Sequence, residues 1–265
     1  MNGVNQTLYI PLYGKAYVTE RGLFVKDPTA KAIWEKEGFL LKGKARSKWL
    51  AFYMGIRAAV FDEWVRKKVE EEKGAVILHL GCGLDSRALR VNAENVWYDV
   101  DFPSVIEERR RYFSESDTYR MIAGDLKDGN WLASVSEAKC AIVVMEGVSM
   151  YLSPEERGAL FERLDKRFDR IFLLMDCYTE WAARLSARRN PVHDLGVGRV
   201  FGLDDPLALE KGGIAFFGEK EMMPQKYVAE LRGMEKGIFR TLYAGGVSRR
   251  LYKLFEYGKG KDARP

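Results

Sequence analysis

The pattern of apolar and polar positions divides the chain near Gly74. Before it, apolar residues recur at helical spacing; after it, short β-branched runs alternate with helical stretches. From Ser47 to Glu72, Tyr53, Ile56, Val60, Phe61, Trp64 and Val65 form one stripe and predict a long amphipathic helix. Asp27-Pro28 predicts the start of a second helix, Thr29 to Glu37, with Gly38 as its stop. Leu8 to Tyr17, interrupted by Pro11, reads as a packed loop or short helix. Residues 1–73 are thus expected to form an N-terminal helical cap.

Beyond Gly74, strands are expected at Ala75–Leu80, Val96–Val100, Tyr119–Ala123, Cys140–Met145 and Ile171–Met175. Pro103 opens a helix through Phe113. Ser153-Pro-Glu-Glu156 places a capping serine, a proline at the first helical position and early carboxylates together, predicting a helix to about Phe168. Alternating units of this length imply an α/β fold, a mostly parallel sheet with helices on both faces. Thr179–Arg189 and Gln225–Gly233 read as helices, Phe239–Tyr243 as a strand, and Arg249–Tyr257 as a helix or closing strand. Pro191–Gly218 is rich in glycine and turns and reads as a lid. The expected organisation is an α/β core over residues 74–265 with a lid insertion at about 178–235.

Composition narrows the class. At 265 residues, 47% hydrophobic and 31% charged, this is an ordinary globular chain with ample core. A net charge of +5 from dispersed basic residues argues against a dedicated nucleic-acid partner. Cys82, Cys140 and Cys177 are far apart, which points to reduced thiols rather than a disulfide framework or zinc site. The N-terminus lacks a basic-then-apolar leader and no apolar run approaches membrane-spanning length, so a cytoplasmic protein without a membrane partner is expected.

The candidate chemistry gathers at the ends of the expected strands. After the first, Gly81 and Gly83 turn the chain towards Asp85 or Ser86, either able to cap a following helix. Ligands of open α/β sheets bind beyond such strand ends, and this edge carries Asp101, Asp125, Glu146 and Asp176. Asp101 lies twenty residues after Gly81, the spacing at which an acid accepts from ribose hydroxyls; Asp99 competes but alternation points it elsewhere. Arg57 falls within the apolar stripe of the long helix and needs a carboxylate or a ligand to pair with. No P-loop, hydrolase elbow or metal cluster is present, and His79, inside a strand, reads as a packed core residue. A nicotinamide oxidoreductase would share the glycine turn and the ribose acid, although Ser86 stands where its third glycine would fall.

Four motifs come in order: L-G-C-G-L-D-S-R (Leu80–Arg87), Y-D-V-D-F-P (Tyr98–Pro103), A-G-D-L (Ala123–Leu126) and E-G-V-S-M-Y-L (Glu146–Leu152). With P-L-Y-G-K-A near the N-terminus and the helix carrying Arg57, this set resembles the leucine carboxyl methyltransferase and polyketide O-methyltransferase family over roughly residues 8–180. The resemblance implies a class I, Rossmann-like methyltransferase fold and S-adenosylmethionine as cofactor. It implies that Gly81 and Gly83 bear the methionine part, Asp101 the ribose, Asp125 and Leu126 the adenine, and that Glu146 contacts the cofactor. Arg57 would pair with the methionine carboxylate, and Tyr151 would stand near the point of methyl transfer.

The reaction so implied is O-methylation. A carboxylate acceptor is already ionised, whereas a phenol needs a base, for which His193 in the lid stretch is the available histidine. Arg184, Arg188 and Arg189 are candidates to receive an anionic substrate, and Tyr178 and Trp181 to line an aromatic-accepting pocket. A small-molecule acceptor is expected rather than a protein C-terminus. A cofactor-binding subunit without catalysis remains the non-enzymatic alternative.

Overall fold

The computed structural model describes residues 3–41, 43–189 and 199–260. The five expected runs become parallel strands: β1 (Val76–Leu80), β2 (Trp97–Asp101), β3 (Tyr119–Ala123), β4 (Cys140–Met145) and β5 (Arg170–Tyr178). Two more follow, β6 (Ala215–Glu219) and β7 (Tyr252–Lys259), with β7 antiparallel to both β5 and β6. Among the described residues the sheet has the order β3-β2-β1-β4-β5-β7-β6. The chain order reverses between β1 and β4, which opens a crevice at their carboxyl ends.

The central strands are apolar on both faces because both are covered. Ile77, Ile142 and Phe172 face one way, into a cluster with Phe52 and Phe61 of the N-terminal helices α1 (Gly3–Glu20), α2 (Pro28–Glu37) and α3 (Lys48–Glu71). Leu78, Val143 and Leu173, one residue on, face the opposite cluster. Between β1 and β2 lies the short helix α4 (Arg87–Val91), and after β2 comes α5 (Pro103–Arg109). The second face is covered by α6 (Pro154–Arg167), whose start carries the full capping box of Ser153 and Glu156. After β5 come α7 (Glu180–Arg189), α8 (Gln225–Val228) and α9 (Gly233–Leu242).

Several local expectations are corrected. Leu8–Tyr17 lies within one continuous helix, α1, with Pro11 inside it. Phe239–Tyr243 is mostly helix rather than strand, because Phe239 is buried edge-on against Phe52 of α3 as part of an amphipathic turn. Neither Asp85 nor Ser86 caps α4: the Ser86 hydroxyl donates to Asp27 at 2.6 Å, and Asp85 is taken up in ion pairs. Within the stretch expected as a lid, Ala215–Glu219 is the outer strand β6, while Asn190–Gly198 lies outside the described residues.

Asp99 illustrates how completely a buried charge is satisfied here. Its Oδ1 accepts from the Trp97 indole and contacts His79 Nδ1, both at 2.9 Å, and its Oδ2 accepts from Tyr119 and Arg109. Burial opposes its ionisation, but the Arg109 guanidinium and these donors prevail and hold its carboxyl down to about 2. Because the folded value is depressed, the stabilisation is complete above the unfolded carboxylate range near 4 and is lost as pH falls towards 2. In Asp99→Asn, denaturant titrations at pH 7 and pH 3 should therefore differ less than in the parent. An unchanged acid limb would remove Asp99 from the account.

Candidate active site

A cavity of about 570 Å³ opens at the carboxyl edge of the sheet, and the strand ends line it in sheet order. Asp125 and Leu126 follow β3, Asp101 ends β2, and the Gly81–Asp85 turn follows β1. Glu146 and Tyr151 follow β4, and Tyr178 ends β5. With neighbouring strands about 4.8 Å apart, the edge from β3 to β5 spans roughly 19 Å. That is room for an elongated ligand with a second molecule at the β5 end.

The glycine turn is shaped for close approach. Gly81 has φ +69° and Gly83 φ +52°, and a Cβ at Gly81 would lie 2.6 Å from Val148. The Asp101 carboxylate accepts the Gly83 and Phe102 backbone N–H groups, one on each oxygen and both at 2.8 Å. Each oxygen keeps a free lone pair, so the group can still accept from two hydroxyls of a bound sugar. Burial pushes its carboxyl above the usual range, against those two N–H bonds. Asp125 makes a local turn through the Lys127 N–H at 2.9 Å, beside the buried apolar Leu126.

At the methionine end expected from the sequence, charge is dense and paired. Arg57 on α3 donates through Nε to Glu146 at 3.0 Å, and through Nη1 to Asp176 at 3.1 Å and Tyr252 at 3.0 Å. The cation in the apolar stripe thus has two carboxylates, and its Nη2 takes no partner among the described residues. Glu146 also receives Arg87, and the two guanidiniums hold its carboxyl below the usual range although burial pushes it up. Asp176 lies nearby but is raised, chiefly by burial; it accepts from the Gly147 backbone at 2.7 Å and from Tyr252 at 2.9 Å.

All eight residues expected at the site line this cavity: Arg57, Gly81, Gly83, Asp101, Asp125, Leu126, Glu146 and Tyr151. Asp99, the competitor, is consumed in the core. Trp181 does not line the cavity and is about half exposed; Arg184 is exposed and paired with Glu180. His193 and the side chains of Arg188 and Arg189 lie outside the described residues. Sequence reasoning passed over Lys15, a cavity-lining lysine only 2% exposed and paired with Asp85 at 3.1 Å. A lysine inside an apolar helix is the same signal that drew attention to Arg57. Tyr252 was also missed, because it arrives on β7 from the far end of the chain.

The residues fit a cofactor with a nucleoside at one end and an amino acid at the other. The donor-poor, acceptor-rich Asp101 suits hydroxyls, the glycine turn leaves main chain bare, and Lys15 and Arg57 bring positive charge to the far end. A solved structure of a putative methyltransferase from Thermobifida fusca shares the fold, with TM-score 0.58 at 14% identity over 94% of both chains. An S-adenosylmethionine-dependent methyltransferase from Gibberella zeae is 27% identical over 79% of this chain and 78% of its own. Fold and site together define a Rossmann-like, class I methyltransferase that uses S-adenosylmethionine. The sequence profile of leucine carboxyl methyltransferases matches residues 12–165, and the chain belongs to that family. The tetracenomycin polyketide synthesis O-methyltransferase TcmP of Streptomyces glaucescens is 31% identical over 97% of each chain. The nicotinamide reading is thereby set aside.

Proposed function

We propose that the chain methylates an oxygen of a small aromatic acid, giving a methyl ester. The observation that carries this reading is the lack, among the described residues of the cavity, of a poised base at the β4–β5 end. Glu146 is held by two arginines, and His79 is engaged by Asp99 and lies 3.4 Å from Arg87. Burial pushes the Tyr151 and Tyr252 phenols up, keeping them protonated near neutral pH. The accepting oxygen must then arrive ionised, as a carboxylate does near neutral pH. The name of the Streptomyces relative supports oxygen as the accepting atom.

In this reading Asp101 holds the ribose, Asp125 and Leu126 border the adenine, and Gly81 and Gly83 bear the methionine part. Arg57, through its free Nη2, and Lys15 meet the methionine carboxylate, while Glu146 contacts the cofactor and fixes Arg57. When bound, S-adenosylmethionine supplies a methyl group on a positively charged sulfur that leaves as a neutral thioether. The chain's contribution is to align the acceptor oxygen, exclude water and keep the site's charge balanced. Tyr151 helps to wall the transfer point.

The test incubates the protein with methyl-labelled S-adenosylmethionine and paired aromatic carboxylic acids and phenols. Methyl esters release volatile label as methanol on mild alkaline treatment, and methyl ethers do not. Base-labile label from the acids supports the reading. Base-stable label from the phenols alone overturns it, as does cofactor binding without transfer to either set.

A further inference from the structure

Among the described residues, the cations lining the cavity are accounted for, with one exception. Lys15 pairs with Asp85, Arg57 with Glu146 and Asp176, and Lys127 with Glu156 at 3.0 Å. Arg199 lines the same cavity, is exposed, and has no carboxylate partner among the described residues. Its guanidinium lies over the Phe201 ring, 5.2 Å from the centroid. Phe201 also lines the cavity.

The backbone beneath this pair is fixed. The Phe201 N–H donates to the Met150 carbonyl at 2.8 Å, next to Tyr151, and the Leu203 N–H donates to the Tyr178 carbonyl at 2.8 Å. Between them, the Gly202 carbonyl accepts from Arg157 Nη2 at 2.7 Å. A Cβ at Gly202 would come within 2.4 Å of the Glu180 backbone, so the chain lies flat on the start of α7. Among the described residues, the buried Arg157 has no partner for Nε and Nη1, and holding this carbonyl is the one hydrogen bond its guanidinium makes. The stretch is thereby anchored at the β4–β5 end, opposite Asp101 and Asp125.

Resting on the proposed function above, we infer that Arg199 is a specificity-determining residue that binds a second acidic group of the acceptor, one that is not methylated. The reacting oxygen needs a water-excluded place beside the sulfur, whereas Arg199 sits exposed at the rim. A guanidinium held over a ring and left without a carboxylate among the described residues keeps its forked N–H donors available, and that fork suits a carboxylate of the acceptor. The substrate class is therefore an aromatic compound with two acidic groups, one methylated inside the cavity and the other held at the rim.

The test uses 2-naphthoate and naphthalene-2,6-dicarboxylate as probes on the parent chain, Arg199→Gln and Arg199→Lys. Binding is measured by calorimetry with saturating S-adenosylhomocysteine, after the affinity for S-adenosylhomocysteine itself. The parent should bind the dicarboxylate about tenfold more tightly than the monocarboxylate. Arg199→Gln should erase that preference while leaving 2-naphthoate within about twofold, and Arg199→Lys should keep part of it. In methyl transfer the loss should appear in KM rather than kcat. Equal losses for both probes would make Arg199 merely structural and overturn the inference. So would a parent without preference, or one that binds neither probe. If S-adenosylhomocysteine binds while the preference is absent, only the role of Arg199 falls; if it does not bind, the cofactor site falls with it.

Discussion

Asp101→Ala should weaken S-adenosylhomocysteine binding by at least two orders of magnitude while the chain stays folded. The carboxylate is placed to accept from two ribose hydroxyls, and hydrogen bonds to a charged group are worth about 1.5–3 kcal/mol each. The change also removes the acceptor for the Gly83 and Phe102 N–H groups, loosening the glycine turn against which the methionine part rests. Calorimetric titration of parent, Asp101→Ala and Asp101→Asn checks this. Because the Asp101 carboxyl is raised by burial, cofactor affinity in the parent should begin to fall at a pH above the usual carboxylate range. That acid limb should vanish in Asp101→Asn. A loss below about fivefold in Asp101→Ala would be smaller than one charged hydrogen bond and would place the ribose elsewhere.

The largest stability effect is expected at a residue that touches no ligand. Asp62 on α3 accepts from Arg87 Nε at 2.7 Å and from Arg90 Nε and Nη2 at 2.8 and 3.0 Å. All three side chains are buried. Their charges extend through Asp27, Asp85 and Lys15 to Glu146 and Arg57, so the network joins the N-terminal helices to the glycine turn. Asp62→Ala leaves three buried guanidinium N–H groups without their acceptor, although both arginines keep other carboxylates, and should cost about 3–5 kcal/mol. For a chain of this size that lowers Tm by roughly 10 °C. Urea denaturation gives the loss directly, and Asp62→Asn, which keeps one oxygen to accept from the two arginines, should lose less than Asp62→Ala. A loss under about 1 kcal/mol would show that water or Asp85 replaces Asp62 at little cost.

One pair of acids and one segment show where local sequence was sufficient and where it failed. Asp99 and Asp101 differ by two positions on one strand, and both are acids at a plausible spacing. Only Asp101 reaches the strand end, while Asp99 is enclosed by Trp97, Arg109 and Tyr119. Alternation does not separate them, because residues two apart on a strand share a face; position along the strand does, and position is legible. Phe239–Tyr243 was misread because aromatic and β-branched residues suggest a strand, whereas burial of Phe239 against Phe52 favours a helical turn.

The sequence by itself determined the parallel core, the glycine turn, the strand-end acids and the demand of Arg57 for a counter-charge. Each follows from short-range rules: alternation, helical period, turn chemistry and the cost of burying a charge. Tertiary structure alone decided which groups answer one another. Asp176 and Tyr252 meet Arg57 from 119 and 195 residues away. Arg157 anchors a carbonyl 45 residues on, and Arg199 has no carboxylate partner among the described residues at the rim. Those pairings depend on the order in which strands join the sheet, and on β7 returning antiparallel beside β5. No local pattern encodes that arrangement, because the energy that selects it comes from burying all these surfaces together.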